Sequence, residues 1–231
     1  MFQLHWVAMS ASASQGPPPR GTLAPAPLSG RRAQAARNDE RILQAAREVF
    51  VANPEAPIAD VAKRAGVGIS ALYRRYPSKE DLLRRLCADG LQRYIDAVQA
   101  AVDEQGDAWE AFAGFMRRAV DADSNSLTLR LAGTFTPTPE LYEMADHAQR
   151  LNRRLFARTK KAGAIRADAD VNDVGSILEQ IAALRLGDEE RTRAIRRRYL
   201  TIVLDGLRTP EPSTLPAPPP TWDEVTARWQ A

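Results

Sequence analysis

Cysteine and histidine are scarce in this chain, which contains one Cys and two His among 231 residues. A single cysteine cannot form an internal disulfide, and no residues show the spacing of a metal site, so we expect a reducing, cytoplasmic compartment and no metal. No apolar run reaches the roughly 20 residues that a membrane-spanning helix needs. The first nine residues, MFQLHWVAM, lack the basic segment that begins a signal peptide. We therefore expect neither export nor a membrane partner.

Sequence features typical of enzymes and of β-sheets are also missing. There is no glycine-rich phosphate loop, and the few cysteine and histidine residues form no catalytic grouping, so we predict that the chain is not an enzyme and needs no cofactor. Sustained alternation of apolar and polar residues and Asn-Gly hairpin turns are absent. Apolar residues instead recur at the spacing of amphipathic helices. These patterns predict an all-α fold of about nine helices.

Proline is concentrated at the two ends of the chain. Five of the 16 prolines lie in residues 17–27 and six lie in residues 210–220. Both stretches contain few aliphatic residues and bury too little surface to offset the entropy of an ordered chain. We therefore predict a disordered arm over residues 1–36 and a proline-rich linker from residue 209.

The rest of the chain divides into two domains and a tail. Residues 37–82 predict a small N-terminal domain, and residues 83–208 predict a larger helical domain. The final segment, TWDEVTARWQA, combines a capping box of Thr221 and Glu224 with an apolar stripe, which predicts a short helix docked on the body of the protein. The predicted helices before this tail span residues 38–52, 58–65, 69–76, 78–105, 107–122, 124–132, 138–162, 171–186 and 188–208.

Positive charge is concentrated near the N-terminus. The net charge is only +3, but residues 31–86 contain 12 Lys or Arg and 7 Asp or Glu, a local balance of +5. A basic segment on an otherwise mildly acidic chain predicts a polyanion as partner.

The stretch RAGVGISALYRRYPSKEDLL, residues 64–83, explains where such a partner would bind. The turn Gly66-Val67-Gly68 joins two short helices at a steep angle, as in a helix-turn-helix. Leu72 and Tyr76 lie four residues apart and face the core, which directs Arg74 and Arg75 away from it. Guanidinium groups placed there match the acceptors of guanine and of phosphate in a DNA major groove. For an arginine pair alone, a solvated face of a packing helix would be the simpler interpretation.

Residues 38–86 resemble the DNA-binding domain of the tetracycline-repressor (TetR) family of bacterial transcription regulators. The resemblance rests on RILQAA, on DVAKRAGV at residues 60–67, and on Leu72-Tyr73 followed by Tyr76-Pro77-Ser78-Lys79-Glu80. Tyr76 replaces the usual phenylalanine, and ANPEAPIAD is a shorter connection than usual. The resemblance implies a DNA-binding head followed by a domain that binds a small effector and forms a homodimer.

The resemblance also implies roles for individual residues. It places base-reading or groove-facing residues on the third helix, phosphate contacts at Tyr73 and Lys79, and a possible minor-groove contact on the arm, where Arg37 and the pair Arg31-Arg32 precede the first helix. A tail with incidental arginines is an equally good interpretation of the arm. The candidate DNA-binding residues are Ile69, Ser70, Ala71, Tyr73, Arg74, Arg75, Lys79 and Arg37.

The larger domain offers two further candidate sites. Two adjacent helices with broad apolar faces, 171–186 and 188–208, are candidates for a four-helix dimer interface, although both faces could be intramolecular core. The candidate interface residues are Ile177, Ile181, Ile195, Tyr199 and Ile202. Aromatic residues in the middle of the chain could line a pocket for a mostly apolar effector, although each of them taken singly could be ordinary core. The candidate effector-binding residues are Phe112, Met116, Phe135, Tyr142 and Gln180.

Taken together, these patterns predict a ligand-responsive regulator of transcription, a repressor that binds a palindromic operator in double-stranded DNA as a homodimer. The alternatives are a helix-turn-helix adaptor that binds protein and a constitutive DNA-binding protein without an effector.

Overall fold

The computed structural model describes residues 30–123, 131, 133–208 and 210–227, without the side chains of residues 31 and 32. Within these residues there are nine helices and no strand, so the predicted all-α fold is confirmed. The predicted helix 124–132 and most of the predicted arm lie outside the described residues. The helices are α1 (Gly30–Ala52), α2 (Ile58–Ala65), α3 (Ile69–Arg75), α4 (Lys79–Asp103), α5 (Ala108–Asp121), α6 (Pro139–Lys161), α7 (Val171–Ala183), α8 (Glu189–Arg208) and α9 (Trp222–Thr226).

The first three helices and the first half of α4 pack around one core, which we call the head core. The apolar face of α2 is fully buried in it, and Phe50 and Leu72 contribute side chains without solvent exposure. Leu131, Phe135 and Leu141 join the same core from the segment that precedes and begins α6. The head therefore packs on two parts of the chain, α4 and the start of α6.

The turn between α2 and α3 requires glycine at its first position. Gly66 has a φ of +64°, in the left-handed region that side chains disfavour, and its N–H closes α2 on the carbonyls of Ala62 and Lys63. A Cβ at residue 66 would also lie 2.9 Å from the guanidinium of Arg41. That guanidinium donates to the Ala65 carbonyl at 2.7 Å, so a hydrogen bond joins α1 to the end of α2.

A second core, the body core, is formed by the rest of α4 together with α5, α6, α7 and α8. Aromatic rings fill its centre: Tyr94 meets Phe115 edge-on at 5.5 Å between ring centroids, and Phe112 meets Phe156 at 6.3 Å. Edge-to-face pairs of this kind add to the stability gained by burial alone. Met144 of α6 packs against both cores.

Helix α4 links the two cores. It begins at Lys79, one residue after the predicted start, and Ser78 is its N-cap, with a hydroxyl that accepts the N–H of Asp81 at 3.0 Å. Its first part buries Leu82, Leu83 and Leu86 in the head core, and its later part buries Ile95, Val98 and Ala101 in the body core.

Helix α1 begins earlier than the sequence predicts. It starts at Gly30, so residues 30–36 are helical and the predicted end of the arm at residue 36 does not match the start of the helix. Asn38, where the sequence predicts the start of the helix, lies inside it, and its side-chain oxygen accepts from Gln34 at 3.2 Å. Gln34 in turn accepts from Arg37 at 2.8 Å. Such pairs, together with the alanines of RAQAAR, favour extension of the helix.

The end of α7 differs from the prediction, whereas the tail agrees with it. Helix α7 ends at Ala183, three residues before the predicted end, because Leu184 is extended. The predicted capping box of Thr221 and Glu224 is present and begins α9. Helix α9 packs on α7, as expected of a docked tail. No helix in the described part of the chain is long and apolar enough to cross a membrane.

Candidate DNA-binding and ligand-binding sites

One face of α3 is open to solvent and carries a mixed apolar and polar surface. Ile69 and Tyr73 are 40% and 46% exposed, and Ser70 and Arg74 are exposed beside them. These four residues are called the recognition face below. Leu72 and Tyr76 point inward, as predicted, and Ala71 is half-buried. Large apolar side chains exposed on so short a helix are unusual unless a partner covers them.

Arg75 does not belong to this face. Its Nε donates to Asp39 Oδ1 at 2.7 Å, and its Nη2 pairs with the second carboxylate oxygen of Asp39. The bidentate pair with Asp39 raises the pKa of Arg75 above its usual value. Arg75 therefore holds α3 against α1 while its side chain stays exposed, and its predicted contact with DNA remains a prediction. Arg74, by contrast, takes part in no ion pair among the residues that the structure describes.

Two other candidate DNA contacts, Lys79 and Arg37, also have hydrogen-bond partners within the chain, and their contact with DNA remains a prediction. The Lys79 ammonium donates to the Pro54 carbonyl at 2.9 Å and lies 5.3 Å from the ring centroid of Phe50. It fastens the start of α4 to the turn between α1 and α2. Arg37 lies on α1 and is exposed, with its guanidinium bonded to Gln34. The side chains of Arg31 and Arg32 lie outside the described residues.

A small cavity of about 40 Å³ lies inside the body, between α4, α5, α6, α7 and α9. A volume of that size holds a few water molecules at most and is far below the roughly 300–1,000 Å³ of typical ligand pockets. Its walls combine aromatic rings with neutral amides. They comprise Tyr94, Phe112, Phe115, Gln149, Asn152, Leu155, Phe156, Val171, Asn172, Val174, Gly175, Trp222 and Val225.

The polar groups of this cavity are paired with one another. Tyr94 donates its hydroxyl to Asn152 Oδ1 at 3.0 Å, and the buried Gln149 donates to Asn172 Oδ1 at 3.0 Å. Burial raises the pKa of Tyr94 to about 12, although the bond to Asn152 acts in the opposite direction. The phenol is therefore a neutral hydrogen-bonding group at any physiological pH.

The single cysteine is half-buried in this fold. Cys87 lies on α4 against the head core, and burial raises the pKa of its thiol to about 12. A thiol rather than a thiolate at neutral pH is a poor nucleophile. In the described residues no three His, Cys, Asp or Glu side chains converge on a possible metal position.

The predicted interface residues divide into a buried and an exposed set. Ile181 and Ile195 are 4% and 9% exposed and pack inside the chain, whereas Tyr199 and Ile202 of α8 are 41% and 56% exposed. Ile177 is half-buried against the body core. The exposed surface of α8 around Tyr199 and Ile202 is called the α8 face.

Two family profiles match this sequence and show the family of the chain. Residues 42–86, which contain α2 and α3, match the profile of bacterial regulatory proteins of the tetR family. Residues 106–209, which contain α5 to α8, match the profile of the C-terminal domain of SbtR-like transcriptional regulators. The chain belongs to the TetR family. The resemblance inferred from the head is thereby confirmed and extends through the body, and members of this family are regulatory proteins.

Similar proteins include both solved structures and characterised repressors. The TetR transcription regulatory protein of Mycobacterium vanbaalenii is 30% identical, with a TM-score of 0.52, and the match covers 78% of this chain and 99% of that one. The repressor KstR2 of Rhodococcus jostii is 26% identical over 168 residues, 66% of this chain and 81% of KstR2. The repressor LfrR of Mycolicibacterium smegmatis is 38% identical over 71 residues, 31% of this chain and 35% of LfrR. That last match spans about a third of LfrR.

The expected effector residues of this TetR-family chain do not meet at one place. Phe112 lines the cavity and Met116 is buried in the same core, but Phe135 lies in the head core. Tyr142 and Gln180 are exposed. The sequence prediction missed Tyr94, Gln149 and Asn152, which lie on long helices among charged residues and show no distinctive spacing. Only their position on the inner side of α4 and α6 identifies these three residues as part of the cavity wall.

Proposed function

We propose that this chain is a repressor of transcription that binds an inverted-repeat operator as a homodimer and releases it when a small molecule fills the body cavity. The observation that carries the proposal is the recognition face, an exposed surface on the second helix of a helix-turn-helix whose other side is wholly buried. Two relatives, KstR2 and LfrR, are named repressors, which supports repression rather than activation.

The recognition face has the groups that a major groove requires. The Arg74 guanidinium offers a fork that fits guanine O6 and N7 or a phosphate, and Ser70 offers a hydroxyl to either kind of acceptor. The exposed methyl groups of Ile69 suit the thymine methyl, and the hydroxyl of Tyr73 suits a phosphate. Arg75 acts indirectly, because its pair with Asp39 fixes the angle of α3 on α1.

The α8 face supports a homodimer. Tyr199 and Ile202 expose large apolar surface next to α7, and a copy of the same face across a two-fold axis would cover it. Two recognition faces related by that axis would meet half-sites about one helical turn, roughly 34–36 Å, or a multiple of that distance, apart.

The link between cavity and head supports regulation by a ligand. Helix α4 carries Tyr94 at the cavity and Leu86 in the head core, and α6 carries Asn152 at the cavity and Leu141 in the head core. A ligand that enlarges the cavity pushes these two helices apart at one end, and the head packs on both at the other.

Polar contacts reinforce this second connection to the head. The Arg84 guanidinium donates to the Thr136 carbonyl at 3.1 Å, and Glu80 accepts the Thr136 N–H at 3.2 Å. The segment before α6 therefore moves with the start of α4. A shift between α4 and α6 would change the distance between the two recognition faces in a dimer. A ligand that binds the shifted state more tightly than the operator-binding state would therefore weaken operator binding.

Selection of bound fragments from genomic DNA tests the proposal. The purified protein is expected to enrich fragments that share an inverted repeat, and affinity for them is expected to fall steeply as salt rises, because phosphate contacts release counterions. Enrichment of no common sequence, or binding insensitive to salt, would favour the adaptor function instead.

Replacement of Arg74 is expected to weaken operator binding selectively. Arg74→Ala removes a fork from the recognition face and should cost about 1–3 kcal/mol on the selected operator, with a smaller loss on unrelated DNA. Fluorescence anisotropy with both DNAs measures the difference. Arg93→Ala is the matched control, because Arg93 carries the same charge on α4, where it pairs with Asp89 at 2.7 Å. Equal losses in the two variants would show that Arg74 contributes only charge.

A true effector is expected to show reciprocal coupling with the operator. A coupling of about 1–3 kcal/mol, typical of allosteric proteins, would weaken operator binding roughly 5–150-fold, and operator would weaken effector binding by the same factor. Compounds that raise the melting temperature are first identified by thermal shift and then titrated against the protein with and without operator. If every tight binder leaves operator affinity unchanged, the chain is a constitutive DNA-binding protein.

A further inference from the structure

The C-terminal segment, residues 210–227, contributes part of the cavity wall through α9. Residues 210–219 are exposed, and α9 follows them. Helix α9 packs on α7, and its Trp222 and Val225 side chains line the cavity. The segment is called the cover below.

Three hydrogen bonds join the cover to residues 166–172 of the body. The Arg166 guanidinium donates to the Ser213 carbonyl, and the Asp168 carboxylate accepts a backbone hydrogen bond from Leu215. No residue of α9 is fully buried among those described, and residues 210–219 are exposed throughout. A segment with so little buried surface opens locally at low free-energy cost, without unfolding of the body.

The closest polar contact between cover and cavity is made by Asn172. Its Nδ2 donates to the Pro220 carbonyl at 2.9 Å, while its Oδ1 accepts from Gln149 inside the cavity. If the cover leaves, this amide loses an acceptor at the mouth of an apolar site, and an unsatisfied donor there is costly. A ligand carbonyl or hydroxyl would take the place of the Pro220 carbonyl, and a ligand ring would take the place of the Trp222 indole.

We propose that the cover occupies the mouth of the effector site in the ligand-free protein and that the effector displaces Trp222 and Pro220 from it. This inference rests on the proposed function, because it assigns the entrance and the ligand chemistry of the same cavity. The ligand class is an uncharged, ring-containing molecule with a hydrogen-bond acceptor. Aromatic walls favour rings, and among the described residues that line the cavity there is no charged side chain to compensate a buried charge.

Gly175 supports the assignment and provides a way to block the site. It lies inside α7, where glycine destabilises a helix relative to alanine. It also lines the cavity, and a Cβ added there would meet no atom within 4 Å. The absent side chain keeps room at the cavity wall. A larger residue at this position is therefore expected to fill the site while the helix is retained.

The cover sets the apparent affinity of the site. When only a fraction of molecules is open, the apparent dissociation constant is the intrinsic constant divided by that fraction. Weakening the cover raises the open fraction and tightens ligand binding without any new contact. A wall residue that merely touches the ligand would have the opposite effect, because its removal would weaken binding.

The experiment uses prodan, an uncharged naphthalene ketone whose fluorescence reports an apolar environment, with the full-length protein. Trp222→Ala is expected to bind prodan at least roughly tenfold more tightly than the unaltered chain. Glu211→Ala is the matched control, since Glu211 is exposed in the cover outside α9 and does not line the cavity, and its affinity should equal that of the unaltered chain. Anilinonaphthalene sulfonate, which has a similar ring system with a negative charge, should bind more weakly than prodan to both variants.

A second substitution locates the probe. Gly175→Leu in the Trp222→Ala background should abolish the tight prodan binding, and circular dichroism checks that both variants remain helical. Equal or weaker prodan binding by Trp222→Ala overturns the proposed cover. Tight binding that survives Gly175→Leu, or stronger binding of the sulfonate, overturns the assignment of the cavity and of its ligand class. Operator affinity measured without probe reports the proposed function separately, because displacement of the cover leaves the recognition face intact.

Discussion

The variant Ile202→Glu should be a folded monomer that binds its operator weakly. Ile202 is 56% exposed in the single chain, so glutamate there disturbs no internal packing. In the proposed dimer the same carboxylate would be buried at the interface twice, once in each protomer. A buried carboxylate without a partner of opposite charge costs at least about 3 kcal/mol. The dimer dissociation constant should therefore rise at least roughly 100-fold.

Sedimentation velocity measures the assembly, and anisotropy measures the effect on DNA. A monomer presents one recognition face, so it engages one half-site and loses the contacts of the other. Thr201→Glu is the matched control, because Thr201 is exposed on the same helix but points away from the α8 face. Two residues along a helix turn the side chain by about 200°, so Thr201 and Tyr199 lie on opposite sides of α8. A dimer that persists in Ile202→Glu would place the interface elsewhere on the molecule.

The variant Arg196→Ala should lower the stability of the whole body. Arg196 is 5% exposed, and from α8 it donates to Asp123, which follows α5, and to the carbonyls of Ala182 and Leu184 at the end of α7. Asp123 has a φ of +50°, a strained conformation for a residue with a side chain, and the ion pair helps to hold it. One guanidinium thus joins the ends of two helices to a third.

Removal of the guanidinium leaves the carbonyls of Ala182 and Leu184 without this donor, and at about 1–3 kcal/mol for each unsatisfied acceptor the total cost is about 3 kcal/mol. For a chain of this length the melting temperature should fall by roughly 6–12 °C, which differential scanning calorimetry measures. Arg193→Ala is the matched control: Arg193 is exposed on the same helix and pairs with Glu189 one turn away, a pair worth about 0.3–0.5 kcal/mol. Arg196→Lys should fall between the two, since an ammonium cannot reach three acceptors in a plane. Similar melting temperatures for Arg196→Ala and Arg193→Ala would contradict this role.

Features governed by neighbours in the sequence were the ones that could be predicted. The left-handed Gly66, the Ser78 cap, the inward Leu72 and Tyr76, and the capping box that begins α9 each depend on residues within a few positions of one another. Helix type and location follow from the same local rules. The resemblance of the head to a known family rested on these local patterns as well.

Features governed by distant partners could not be predicted. Arg75 and Asp39 lie 36 residues apart, and nothing near Arg75 indicates that a carboxylate from α1 will meet it. Phe135 is apolar and therefore predicted to be buried, but the sequence does not indicate which of the two cores receives it. Ile195 and Ile202 recur on one apolar stripe, and only the packing of α8 on its neighbours decides that the first lies inside and the second outside.

The low reactivity expected of Cys87 makes this chain well suited to distance measurements. Its side chain is half-buried against the head core and burial raises the pKa of its thiol to about 12, so we expect it to react with maleimide or methanethiosulfonate reagents much more slowly than an exposed cysteine. A cysteine introduced on an exposed residue is then the one labelled position in each protomer. In a symmetric dimer two identical spin labels on the head define a single distance. That distance, followed as ligand is added, would report the separation of the two heads directly, in the absence of DNA.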